Sequence, residues 1–323
     1  MSLPLWREIQ RKNFTRIHDL SDFLELSSTL RAQLVERSLF TLNVPYRLAA
    51  KMEKNTLDDP LFRQFVPLRE EEISSPDLLD DPLQDRAFRK TNKLLKKYKR
   101  RALMITTGAC VMNCRFCFRK NFPYETEIPG FDKELETIRN DPTLNEIILS
   151  GGDPISLSDS TLGLLLVALD EISHVKRIRF HTRFPIGIPE RIDDSFLALL
   201  AKNRKQIVFI LHCNHPRELD PEVAASLKKV QKLGIPLLNQ SVLLRKVNDD
   251  EKTLLELMEA LTDIGVIPYY LHLNDRIAGG GHFDVSRERG EELIRYLQEH
   301  ASGYGVPRLV REEPHHKSKT FYA

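Results

Sequence analysis

The chain has 323 residues, 41% of them hydrophobic and 29% charged, and carries a net charge of +2. That is an ordinary globular composition, with apolar material for one large α/β domain with an extension, or for two domains. Near-neutral charge gives no sign of a dedicated nucleic-acid binder; Met1 to Gln10 lack the apolar stretch of a secretory signal; and the longest apolar run, Leu162 to Leu169, is far too short to span a bilayer.

From Ser21 to Lys54, apolar residues recur at three- and four-residue spacing (Leu24, Leu30, Leu34, Leu39), predicting helix, with Pro45 interrupting or opening one. Asp58-Asp59-Pro60, Ser74-Ser75-Pro76 and Asp80-Asp81-Pro82 mark an extended connection. The interleaved Leu61, Phe62, Phe65, Val66 and Leu78 predict that it packs on the core. Residues 1–92 are thus expected to form an N-terminal helical extension and wrapping segment. Lys93, Lys96, Lys97, Lys99, Arg100 and Arg101 form a basic run with the character of a solvated helix face; contact with an acidic partner or a phosphate is the alternative.

From residue 101 the pattern becomes strand, loop, helix, repeated. The predicted strands are Ala102–Thr107, Glu146–Ser150, Arg177–His181, Ile207–His212, Leu237–Val242 and Ile267–His272. The predicted helices are Asp132–Asn140, Ser158–Ile172, Pro189–Lys202, Pro221–Leu233, Asp249–Gly265 and Ser286–His300. Six β/α units call for a parallel sheet with helices outside, and they fall two short of a closed eightfold barrel. An open, partial (β/α)6 TIM-like barrel over 93–300 is therefore expected, followed by a short C-terminal segment, 301–323. Its working face lies at the C-terminal strand ends. There the sequence sets three cysteines, then Gly151-Gly152-Asp153, His181-Thr182-Arg183, the group His212, Asn214 and His215, and lastly Asp275 and Gly279-Gly280-Gly281-His282.

Three of the four cysteines, Cys110, Cys114 and Cys117, fall within eight positions as C-x3-C-x2-C. That concentration argues against a disulfide framework and for a metal in a reduced, cytoplasmic compartment. Three thiolates leave one position open on a metal or cluster, which is where chemistry occurs. A zinc site completed by a distant His, as in an interaction module, is the alternative. Gly151-Gly152-Asp153-Pro154 alone reads as a strand-to-helix turn, and Val306 to Thr320 alone as a solvated polar tail.

The cysteine spacing after the first strand of a β/α series, with Phe116 before the last cysteine, resembles the radical S-adenosylmethionine (SAM) superfamily. The resemblance implies a [4Fe-4S] cluster on Cys110, Cys114 and Cys117, with SAM on the open iron. Gly151, Gly152 and Asp153 stand where the superfamily places a Gly-Gly-Glu segment beside the SAM amino group. From about Phe40 to Thr320 the chain looks like the lysine 2,3-aminomutase family. The resemblance runs through Met52-Glu53-Lys54, Asp59-Pro60-Leu61, Leu149-Ser150-Gly151-Gly152-Asp153-Pro154, Asn214-His215-Pro216, Asn239-Gln240-Ser241, Pro268-Tyr269-Tyr270 and Ser302-Gly303-Tyr304. It implies an isomerase that shifts an amino group between adjacent carbons with pyridoxal 5′-phosphate (PLP) held covalently by Lys319. Arg119 would hold the substrate carboxylate, and Asp275 the ε-ammonium. Tyr98 and Arg101 would contact PLP, Arg101 at its phosphate, with Lys97 where the family can carry an arginine. Asn239, Gln240, Ser241, His212 and His215 lie where strand ends would meet SAM.

Two departures bear on the substrate. Free-lysine aminomutases carry a second aspartate before the PLP lysine; here Glu312 stands there, flanked by Glu313. Asp275 still favours a basic substrate. Those enzymes also continue past the PLP lysine with a zinc segment, whereas four residues follow Lys319 here. This form, with His272 after Tyr270-Leu271, resembles the bacterial branch that serves translation elongation factor P. That branch turns L-α-lysine into (R)-β-lysine, with a lysyl-tRNA-synthetase-like ligase as functional partner. An electron donor such as flavodoxin or ferredoxin is also implied. A free-lysine 2,3-aminomutase of catabolism or osmolyte synthesis is the second expectation.

Overall fold

The computed structural model describes residues 3–124 and 130–322. Its first part does not form the long helix expected over 21–54. Instead α1 (Leu5–Gln10), α2 (Ile17–Phe23), α3 (Ser28–Arg31) and α4 (Tyr46–Ala49) are short turns of helix. Glu25, at φ 55°, takes the left-handed backbone that ends the first run, and Pro45 opens α4. Of the four leucines that carry the spacing, Leu24 and Leu34 are buried from separate segments, Leu30 is half-buried and Leu39 is exposed, so the rhythm is not that of one helix face. The Asp- and Pro-rich connection does pack. Asp59 caps α5 (Pro60–Phe65) by accepting from the Leu61 and Phe62 amides, and Leu61, Phe62 and Phe65 are all fully buried.

The basic run is not a helix face. It forms β2 (Leu94–Tyr98), which pairs antiparallel with β1 (Arg89–Thr91) and with the start of β3 (Arg101–Thr107). Leu94 packs into the main core and Leu95, on the other face, packs with Ile105 and Phe122, while the lysines find partners. Lys96 pairs with Asp141, and buried Lys93 donates to the Gly130 carbonyl and sits over the Phe131 ring.

The six predicted strands and their helices follow to within a residue or two, except that the helix expected from Pro189 begins at Asp194, after a separate 3-10 turn over Pro189–Arg191, and that a short helix, Phe184–Gly187, is added. They are β3, α6 (Asp132–Arg139), β4 (Glu146–Gly151), α7 (Asp159–Asp170), β5 (Arg177–Thr182), α8 (Phe184–Gly187), α9 (Asp194–Lys202), β6 (Gln206–Leu211), α10 (Pro221–Gln231), β7 (Leu237–Leu243), α11 (Glu251–Asp263), β8 (Ile267–Leu273) and α12 (Arg287–His300). Ser158, Asp193, Asp220, Asp250 and Ser286 each accept from an amide of the following helix, so α7, α9, α10, α11 and α12 all start on a side-chain cap. Strands β3 to β8 pair in parallel, each with its chain neighbour.

The tail is not a loose terminus either. β9 (Arg308–Arg311) extends the sheet in parallel beside β8, and β10 (Thr320–Phe321) returns antiparallel along β9. The ten strands run in chain order from β1 to β10, so the sheet is an open α/β barrel. One apolar core contains Trp6 and Phe62 from the extension, Phe180 and Leu271 from the barrel, and Leu309 from the tail. Among the described residues, no helix is long and apolar enough to cross a membrane.

Because the wrapping segment shares that core, Phe62→Ala should lower the stability of the whole protein by about 3–5 kcal/mol. Denaturant unfolding followed by far-UV circular dichroism checks this. A separate early transition with the main one unmoved would show the segment to be an appendage.

Candidate active site

Strand ends β3 to β8, the hairpin β1–β2 and the tail enclose a cavity of about 360 Å³. Cys110, Cys114 and Cys117 line it from the loop after β3, all with free, half-buried thiols. Burial raises all three thiols above their ordinary pKa, Cys117 to about 11. Among the described residues, no three His, Cys, Asp or Glu side chains converge on one point as a single-ion site requires. The thiols instead face a shared volume.

The extension holds this loop. Arg115, with no exposed surface, donates to both oxygens of Glu71, to the Phe40 carbonyl and to Ser38 Oγ. Asn43 donates to the Cys110 carbonyl and Asn13 to the Val111 carbonyl, so the backbone between the first two cysteines is fixed by residues some 70 to 100 positions away. Lys120 completes the clamp, 3.0 Å from Glu71 and 3.2 Å from the Gly279 carbonyl.

Gly151 and Gly152 press against the start of the loop. Gly151 has φ +111°, and a Cβ on Gly152 would lie 2.3 Å from the Ala109 carbonyl oxygen, so only glycines allow this approach. The amides of Gly152 and Asp153 donate to the Thr107 and Ala109 carbonyls. The Asp153 carboxylate accepts from Thr182 Oγ1 and from the amides of Ile155, Arg183 and Phe184. Those donors fill its lone-pair positions. It therefore lines the cavity chiefly as the joint between β4 and β5, and burial raises its pKa to about 6.

A chain of charges also lines the cavity. Arg119 Nε donates to Asp85 Oδ2 (2.8 Å), and Lys97 Nζ lies 2.7 Å from Asp85 Oδ1. The same Nζ is 3.3 Å from Glu312 Oε1, and Lys319 Nζ donates to Glu312 Oε2 at 2.6 Å. Burial alone would raise the Glu312 pKa, but Lys319 and Lys97 outweigh it and bring it to about 2. The β9–β10 register explains the meeting: Thr320 pairs with Arg311, and one step further sets Lys319 opposite Glu312. Glu313 faces elsewhere, toward Thr320 and His316. The Arg101 guanidinium stacks 4.0 Å from the Tyr98 ring centroid, and both line the cavity. Burial raises the Tyr98 pKa, and nearby Glu312 adds to the shift.

Asp275, after β8, faces the same space. Burial, with Glu312 close by, raises it to about 7. His181, His212 and His272 complete the lining, all pushed toward the neutral imidazole by burial, and Nε2 of both His181 and His212 has no protein partner. Gln240 also reaches the cavity, bonding His272. Other strand-end candidates do not reach it. Asn239 and Ser241 bond the Cys213 backbone, and His215 accepts from the Arg217 amide. Asp85 had no signal in the sequence beyond a polar loop, and Arg183 none beyond its strand-end position.

An open parallel barrel carrying three thiols on its first strand-end loop, pressed by a pair of glycines, is the arrangement of a radical SAM enzyme. Residues 104–258 match the family described as the Radical SAM superfamily. The fold is also that of a radical SAM methyltransferase from Sphaerobacter thermophilus, with a TM-score of 0.51, 18% identity and 68% of each chain covered. L-lysine 2,3-aminomutase of Escherichia coli (strain K12) is 41% identical over 92% of this chain and 87% of its own length. The protein of that name from Haemophilus influenzae is 41% identical over 90% and 87%. That from Clostridium subterminale is 33% identical over 98% of this chain and 77% of its own. The chain belongs to the lysine 2,3-aminomutase family of radical SAM enzymes, and it is an isomerase.

Such enzymes use a [4Fe-4S] cluster, SAM and PLP, and the lining fits all three. Three thiols are a soft donor set suited to iron–sulfur ligation. The partnerless Nε2 atoms of His181 and His212 offer buried polar contacts to a bound molecule. Lys319 places an amine in the cavity, and Lys97 and Arg101 place two further cationic side chains there.

The two carboxylates respond oppositely to pH. The contribution of Glu312 is present above about pH 4.5 and is lost as pH falls toward 2. That of Asp275 is present below about pH 4 and is lost as pH rises through 7, because the unfolded chain ionises first. Asp275→Asn should therefore stabilise the ligand-free protein at pH 8, by on the order of 2–4 kcal/mol, and change little at pH 4. Thermal melts at the two pH values test it; equal melts at pH 8 would show that the charge is not buried at a cost.

Proposed function

We propose that the cavity carries out a 1,2-amino shift on L-lysine, yielding (R)-β-lysine for the post-translational modification of translation elongation factor P. One arrangement supports this most: an amine (Lys319), a guanidinium (Arg119) and two carboxylates (Asp275, Glu312) line one cavity with the three thiols. An α-amino acid with a cationic side chain has the complementary groups. When bound, cluster and SAM supply hydrogen-atom abstraction, and PLP carries the migrating nitrogen.

In this reading Cys110, Cys114 and Cys117 ligate the cluster. Gly151 and Gly152 bring backbone close to SAM, and Asp153 keeps that backbone in place. Lys319 is the PLP attachment residue and catalytic amine, and its ion pair with Glu312 must open before the nitrogen can react. Arg101 and Lys97 bind the PLP phosphate and Tyr98 contacts PLP. Arg119 binds the substrate carboxylate, with Asp85 fixing the guanidinium through Nε. Asp275 and Glu312 receive the ε-ammonium. An arriving cation favours the ionised form of Asp275, so binding should draw a proton off it near neutral pH.

The elongation-factor branch is supported by Glu312, which stands in place of the second aspartate of the free-lysine enzymes. A ligase related to lysyl-tRNA synthetase would consume the product, and a flavodoxin or ferredoxin would reduce the cluster. The second reading, free-lysine metabolism, is favoured by Asp275 and Glu312 both lining the cavity as carboxylates for an ε-ammonium.

After PLP loading, borohydride reduction and peptide mapping should label Lys319, and Lys319→Ala should lose both label and turnover. A label elsewhere would overturn the assignment. Chiral chromatography of the product from anaerobic assays should show (R)-β-lysine; an (S) product would favour the second reading.

A further inference from the structure

Arg183, the residue that follows β5, has no part in the chemistry above, yet its guanidinium reaches the cysteine loop. Nη1 donates to Cys114 Sγ at 2.9 Å. Nη2 donates to Gln64 Oε1 and to Glu218 Oε2, both at 2.7 Å. The group lies 4.8 Å from the Phe65 ring centroid and 5.4 Å from that of Phe116, which stands between Cys114 and Cys117. Its backbone amide donates to Asp153, so main chain and side chain are both held. Arg183 is only 6% exposed, and Gln64 and Glu218 have no exposed surface. Glu218 is fixed in turn, with Oε1 accepting from the Asn214 amide and from Gln64 Nε2. Nε of Arg183 is buried and has no protein partner.

A buried arginine is expected to spend its donors on carboxylates and carbonyls. This one directs a nitrogen at a thiol sulfur and leaves a second donor unspent in the same site. We propose that Arg183 is a positioning residue for the iron–sulfur cluster. It holds a hydrogen bond and a positive charge against the Cys114 sulfur, so that the electron entering the cluster is stabilised and its reduction potential raised. Hydrogen bonds to ligand sulfurs and local net charge are established levers on cluster potential. Glu218 opposes the charge while anchoring its geometry, and Gln64, from the wrapping segment, completes the anchor. The setting of the potential is thereby shared between the barrel and the N-terminal extension.

The proposal rests on Cys114 being a cluster ligand, and the test separates the two. The protein and its variants are reconstituted anaerobically, assayed for iron and sulfide, and titrated with EPR detection of the reduced cluster. Arg183→Met should move the midpoint to more negative potential, Arg183→Lys should restore part of the shift, and Glu218→Gln should move it the other way. Opposite shifts from two residues in one ion pair are not what loosened packing would give. An unchanged midpoint in Arg183→Met at full iron content overturns the proposal. Arg183→Met leaves Glu218 buried without its cation. If it takes up no iron, the near-isosteric Glu218→Gln decides, and an unchanged or more negative midpoint there overturns the proposal. Absence of iron and of the EPR signal in the unsubstituted protein would sink the cluster assignment as well; their presence with unmoved midpoints would sink only the role of Arg183.

Discussion

Five charged side chains are set along one wall of the cavity, and they are tolerable there because their signs alternate. Arg119, Asp85, Lys97, Glu312 and Lys319 form a chain in which each inner member touches an opposite charge on both sides. Removing one partner of a buried pair typically costs 3–5 kcal/mol, since the survivor stays desolvated. The chain therefore fixes the wrapping segment, the β1–β2 hairpin, the cysteine loop and the tail relative to one another. It also leaves the site chemically poised. Once Lys319 is engaged elsewhere, the carboxylate it neutralised is short of a cation, and on the proposed function the substrate brings one.

The cysteine loop depends on a different economy. Val111 and Met112 bury their apolar side chains in the core, but the loop's irregular backbone must still find partners. The extension provides them through Asn13, Asn43 and the Glu71–Arg115 pair. The chain before the barrel is thus a mould for the loop, and both Gln64 and Asp85, which reach the cavity side chains, come from the same stretch.

The barrel was legible because its signals are local. Apolar strands alternate with capped helices, and each capping Ser or Asp precedes the helix it caps. The cysteines, the glycine pair and Asp275 were legible because strand ends share one face. Other elements were hidden for physical reasons. β2 reads as basic surface because its lysines are neutralised by residues far away in sequence, Asp85, Asp141 and Glu312. The 21–54 stretch carries a helical rhythm that Glu25 and Pro45 break. The seven-residue interval between Glu312 and Lys319 has meaning only once the β9–β10 hairpin sets its register. Asp153 reads in sequence as the acid of a segment beside SAM, and only the packed strand ends reveal that its oxygens already accept from Thr182 and three backbone amides.

That hairpin has a further consequence. The strand that follows Lys319 is two residues long and lies at the sheet's outer edge, paired with Arg311 and Val310 and followed by the Tyr322 amide bonding the Leu309 carbonyl. Edge elements with few pairs are the first to open in a native protein. On the proposed function, the anchor of the second cofactor thus precedes a two-residue edge strand, whereas the cysteine loop is braced from several sides. On that reading PLP held by Lys319 would bind only the closed hairpin, so cofactor binding would add to the stability of the last strand.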